Sequence, residues 1–180
     1  PQVLGLVEVG GAMAVVSAFR EGESLRAVLD GGGALTPPLA SRVVGDVARA
    51  LQAVHGFAGA GPKALAHGAV RAESVLVCED GAVLLTGLGR PVEPPPLPSD
   101  DLAALPRLLA ECLAPGGAGA VPPELAPLVA DALPGDLPRP AGDFADALAA
   151  AVLPAAPGAL VARVDSALPK GASARASRRR

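Results

Sequence analysis

The chain has 180 residues, 51% of them apolar, and a formal net charge of -3 at pH 7. That length carries one domain with a core of its own, and the apolar share excludes an intrinsically disordered chain. Aromatics are only 2%, with no Trp and no Tyr, so the stacking platforms of single-stranded nucleic-acid binders are scarce and no nucleic-acid partner is expected.

No apolar run free of charge, Pro and Gly reaches the roughly 18–20 residues of a membrane-spanning helix. The charge is uneven. Lys170, Arg175, Arg178, Arg179 and Arg180 place five positive charges at the end, and the remainder holds 10 basic against 18 acidic side chains. A solvated terminus is the default for such a tail, with contact to an anionic surface as the alternative. Cys78 and Cys112 are too few and too far apart for a metal site, and read as buried free thiols in a reducing cytoplasm. The sequence opens at Pro1 with neither an initiator Met nor a signal-peptide pattern, which points to a piece of something longer.

In chain order, Gln2 to Val9 and Ala12 to Phe19 flank Gly10-Gly11 and predict a hairpin. Glu21-Gly22-Glu23 is expected to break the run. Ser24 is a candidate N-cap for a short helix through about Leu29, stopped by Asp30 to Gly33. Thr36, Pro37 and Pro38 then open the clearest helix, with Leu39, Val43, Val44, Val47, Leu51 and Val54 at helical spacing and an end near His55-Gly56. A Gly- and Ala-rich loop leads to Ala66. Val75 to Val77 and Val83 to Leu85 flank Glu79-Asp80-Gly81 as a small hairpin.

Pro91 to Pro98 cannot be regular helix or inner strand. Ser99 is expected to cap a helix whose apolar face is Leu102, Leu105, Leu108, Leu109, Cys112 and Leu113, kinked at Pro106. A Gly-rich linker over Pro115 to Ala120 follows, then helices at about Pro123 to Leu133 and Gly142 to Leu153. A last short helix is expected near Ala159 to Leu168. The chain shows no repeat of fixed period.

The chemistry-bearing stretch is His67-Gly68-Ala69-Val70-Arg71-Ala72-Glu73-Ser74-Val75-Leu76-Val77. It resembles the catalytic loop of bacterial eukaryotic-like Ser/Thr protein kinases, His-Arg-Asp-x-Lys-x-x-x-Asn followed by a short apolar strand. The resemblance extends over roughly residues 2 to 153. Val15 to Leu25 is similar to the family's hinge strand, hinge and following helix, and Pro38 to His55 to the long helix before the catalytic loop. Leu85-Thr86-Gly87-Leu88-Gly89 occupies the place of the magnesium-binding Asp-Phe-Gly motif. Asp101-Leu102-Ala103-Ala104-Leu105 resembles the start of the central C-lobe helix, whose Asp anchors the catalytic-loop backbone. Leu137-Pro138-Arg139-Pro140 resembles the Arg-Pro turn before the last helix.

What the resemblance implies is an α+β, mostly α fold. It would be a kinase-like C-lobe with a hinge-side hairpin and a small β-hairpin, the N-lobe being incomplete or absent. Residues 1–20 would be remnant N-lobe strands and hinge, 21–153 the helical C-lobe-like domain, and 154–180 an extension with the basic tail. His67, Asp101 and Arg139 would be structural anchors, Asp101 bonding near His67 and Gly68.

The departures imply inactivity. Ala69 replaces the Asp that accepts the substrate proton, and Gly87 the Asp that chelates magnesium. Gly68 replaces the Arg that reads activation-loop phosphorylation, and Ser74 replaces the Asn ligand. Leu88 and Gly89 complete the altered magnesium motif, while Arg71 keeps the basic position. Only Arg90 to Pro98 separate Gly89 from Ser99, too short a span for the family's activation segment. With base and metal ligand both gone, phosphoryl transfer loses its electrostatic positioning. No catalytic residue, metal or cofactor is expected.

The implied function is a pseudokinase scaffold or regulatory module in a bacterial cytoplasm, with a protein partner such as an active kinase or a multi-subunit assembly. Two alternatives stand beside it: a non-hydrolysing nucleotide-binding domain, and a structural subunit of a larger assembly. The run Pro94-Pro95-Pro96-Leu97-Pro98 includes a PxxP match and is a candidate partner site, with a rigid shortcut between elements as the blander reading.

Overall fold

The computed structural model describes residues 3–57, 65–88, 95–117, 120–131 and 139–167. Among these described residues the elements are mixed α and β, about 54% helical, with two small antiparallel sheets and no barrel. The first sheet is the hairpin of β1 (Val3–Val9) and β2 (Ala12–Ser17). Gly10 and Gly11 both have positive φ, 59° and 80°, the backbone a tight hairpin turn needs and a Cβ would resist.

The second sheet has the order β3-β4-β5, from Gly22–Ser24, Val75–Cys78 and Val83–Leu85. Its first strand corrects the sequence reading. Glu21-Gly22-Glu23 was expected only to interrupt the chain, yet Gly22, Glu23 and Ser24 pair antiparallel with Cys78, Val77 and Leu76. A three-residue strand carries too little pattern to be seen alone. Its partner, more than 50 residues away in sequence, defines it.

Ser24 caps α1 (Leu25–Gly32), its Oγ accepting the Ala27 N–H at 3.2 Å. The helix passes Leu29 and ends at Gly33, whose N–H donates to the Leu29 carbonyl. Arg163, from α6 (Pro157–Ala167), donates from Nη2 to the carbonyls of Gly32, Gly33 and Ala34. That places a cation on the negative end of the α1 dipole and satisfies carbonyls the helix leaves open.

The centre of the fold is α2 (Pro37–His55). Pro37 and Pro38 sit in its first turn, where a missing N–H costs nothing. It buries Leu39, Val43, Val44, Val47 and Leu51 and packs mainly on α5 (Ala141–Ala151) and α3 (Pro98–Leu113). Each such aliphatic side chain contributes about 1.5–3 kcal/mol on burial. Phe144 and Leu148 of α5 are fully buried against it. Ser41 Oγ donates to the Val152 carbonyl at 2.8 Å, and Ala155 N–H donates to the Pro38 carbonyl at 2.9 Å. These bonds fasten the start of α2 to the α5–α6 connection.

Further boundaries differ from expectation. Ser99 does not cap α3: Leu97 is at the N-cap and its N–H donates to Asp100 Oδ2 at 2.8 Å. Pro98 takes the first helical position, which its fixed φ suits, and so moves the start one residue earlier. The helix expected at about Pro123 to Leu133 is the short α4 (Ala126–Ala130), and residues 132–138 lie outside the described residues. Within Pro115 to Ala120, a 3-10 turn covers Pro115–Gly117. Cys78 and Cys112 are free and buried, and burial pushes the Cys112 thiol pKa well up. No helix among the described residues is long and apolar enough to cross a membrane.

Candidate functional site

The segment from His67 to Ser74 joins α2 to β4, and its shape is set by α3. Asp101, in the first turn of α3, is 1% exposed. Its Oδ2 accepts the His67 N–H at 2.6 Å and its Oδ1 the Gly68 N–H at 2.7 Å. One carboxylate thus forks across two consecutive backbone amides. His55, at the end of α2, adds a third donor, Nε2 to Asp101 Oδ2 at 2.9 Å. Sequence reasoning placed His55 only at a helix end. Its spacing from Asp101 gives no signal, since α2 and α3 must pack before the two meet.

His67 is 3% exposed. The Ala69 N–H donates to its Nδ1 at 3.3 Å, so the ring hydrogen belongs on Nε2, which donates to the Thr86 carbonyl at 3.0 Å. Both ring nitrogens are occupied by backbone. Ser74 is committed in the same way: its hydroxyl donates to the Arg71 carbonyl at 2.8 Å and accepts the Arg71 N–H at 3.1 Å. That closes the 3-10 turn Ala72–Ser74. The Ser74 carbonyl accepts both the Thr86 N–H, at 2.8 Å, and its hydroxyl, at 3.0 Å. The loop is therefore bonded to Thr86, just past β5, and to α3 as well as to itself.

The remaining sequence-derived positions fall around this loop. Ala69 is half-buried and offers no proton acceptor. Arg71 is exposed, 3.8 Å from Glu73. Gly87, with φ of 90°, and Leu88 are exposed beyond β5. Gly89 and Pro94 lie outside the described residues. Pro95 and Leu97 are exposed, whereas Pro96 and Pro98 are half-buried. Arg139 is not part of this cluster: its Nε donates to Asp131 at 3.2 Å, next to α4. Among the described residues no group of three His, Cys, Asp or Glu side chains is placed to hold a metal ion.

A cleft of about 380 Å³ lies apart from the loop, where the β2–β3 connection meets the β4–β5 turn. Phe19, Arg20, Glu21, Cys78, Glu79 and Asp80 line it. Arg20 pairs with Asp80, whose Oδ1 also accepts the Ala82 N–H at 3.0 Å. The Ala82 N–H and the Arg20 guanidinium hold the Asp80 carboxyl below its usual pKa. The lining thus carries the carboxylates of Glu21, Glu79 and Asp80 and the guanidinium of Arg20.

Chemically, the loop presents no nucleophile with an adjacent base and no open ligand set. The polar atoms of Asp101, His67 and Ser74 are spent on holding the backbone, while Arg71 and Glu73 face solvent. No protein-family model and no curated protein matches this sequence.

Proposed function

We propose that this chain is a catalytically inactive, protein-kinase-like domain that serves as a protein-binding scaffold or regulatory module. The observation that carries the proposal is the Asp101 fork on the His67 and Gly68 amides. It is the kind of anchor the resemblance implies, and it fixes a loop in which Ala69 has no acceptor to offer a substrate hydroxyl. Two further observations support it. The His67 ring is bonded to backbone on both sides, and Ser74 is consumed by its own turn. The order of elements (hairpin, short helix, long helix, loop, small hairpin, helices) fits a C-lobe with its hinge.

The test is direct. In a phosphate-transfer assay with radiolabelled ATP, magnesium and a generic protein substrate, incorporation should stay at background, and millimolar ATP with magnesium should leave the thermal midpoint unchanged. Robust incorporation that Arg71→Ala abolishes would refute the proposal.

A further inference from the structure

We propose that Pro95 to Leu97 forms a closed strap over the His67–Ala69 loop, seated in the space a side chain at Gly68 would fill, and that it controls access to that loop. The seat is specific. A Cβ built on Gly68 would lie 2.5 Å from Pro96 Cγ and 2.7 Å from Pro96 Cβ. Gly68 also has φ of 75°, a conformation that disfavours any L side chain. Two independent constraints therefore converge on the same residue: its own backbone and the proline ring above it.

The strap and the anchor leave the same turn of α3. Pro96 presses on Gly68 while Asp101, five residues on, holds the Gly68 N–H at 2.7 Å. Between them Leu97 N–H donates to Asp100 Oδ2, and Asp100 N–H returns to the Leu97 carbonyl at 2.9 Å. Pro98 fixes φ at the first helical position. These bonds tie loop, strap and first turn together around Gly68. Exposure alternates along the strap: Pro96 faces the loop, while Pro95 and Leu97 face outward. Pro96 thus covers the Gly68 side of the loop, and lifting it would widen access to a backbone that is only half-buried at Gly68 and Ala69. The strap stands on this contact geometry alone and holds whatever the ancestry of the loop.

The experiment uses the whole chain with Pro96→Gly, alone and combined with Gly68→Ala, followed by amide hydrogen exchange. P96G should speed exchange at the Gly68 and Leu97 amides by about tenfold, leaving core amides of α2 unchanged. G68A should speed the same two amides, by a factor several-fold smaller in the P96G background than in the wild-type one. An access probe is independent of Gly68: in A69C the introduced thiol should react with a small disulfide reagent about tenfold faster once P96G is added. Cys78 and Cys112 are buried and contribute little background. Equal effects of G68A in both backgrounds, or an A69C labelling rate indifferent to P96G, overturn the strap. If G68A fails to fold, the exchange and labelling comparisons of P96G still decide.

Discussion

Replacing Asp101 by alanine removes both oxygens from under the loop. The His67 and Gly68 amides lose their acceptor in an interior where Asp101 itself is 1% exposed. Each unsatisfied buried donor costs about 1–3 kcal/mol, and truncating one member of a buried charged network costs about 3–5 kcal/mol. His55 is 15% exposed at its side chain and can turn toward water, so it adds little. The expected loss for D101A is about 3–4 kcal/mol. D101N keeps the shape and one carbonyl oxygen but aims an NH2 at a backbone donor, and should lose about 2 kcal/mol.

With a urea m-value of about 2 kcal/mol/M, D101A lowers the unfolding midpoint by about 1.5–2 M. The absence of Trp and Tyr rules out their fluorescence as the signal, so helical circular dichroism is the readout. A midpoint shift below about 0.3 M at unchanged m would refute the claim that this carboxylate holds the loop. So would wild-type hydrogen-exchange rates at the His67 and Gly68 amides.

Arg163→Ala should destabilise the chain by about 1–2 kcal/mol, because the carbonyls of Gly32, Gly33 and Ala34 lose a charged donor at the end of α1. Arg163→Lys should recover part of that, and a silent R163A in urea melts would remove the clamp from the account. Asp80 supplies a pH dependence. Its folded pKa is depressed, first by the Ala82 N–H and then by Arg20, so its contribution to stability is present above the unfolded value of about 3.9 and is lost as pH falls through the folded one. Acid melts of D80N should therefore be flatter below about pH 4 than those of the wild type; superimposable curves would count against the Asp80 interactions.

What the sequence disclosed and what it hid have separate physical causes. The helix α2 announces itself through apolar spacing and its leading prolines, and the β1–β2 turn through two adjacent glycines. All of that is local. The Asp101 contact with the loop was also legible, but only through the family resemblance, because nothing in the spacing of residues 67 and 101 brings them together. Hidden features are those made by packing. Strand β3 exists because β4 pairs with it. His55 finds Asp101 only once α2 and α3 are side by side. Arg163 reads as an ordinary helical cation until α6 lies against the end of α1. The cap of α3 was misplaced because Asp100 reaches back to Leu97 over a proline, a local device that a search for Ser or Thr passes over.

The β1–β2 hairpin has a consequence for how this chain melts. Leu4, Leu6, Val9 and Val15 are all about 60% exposed or more, and the strands make their extensive contacts with each other. A two-stranded hairpin of that kind is marginal by itself. Its hydrogen bonds can open and close without disturbing the α2 core, so the chain holds two cooperative units of very unequal strength. A probe placed in the hairpin and a probe of helix signal then report different transitions, and a single unfolding free energy describes only the unit built on α2, whose core includes Val75 and Val77 of β4.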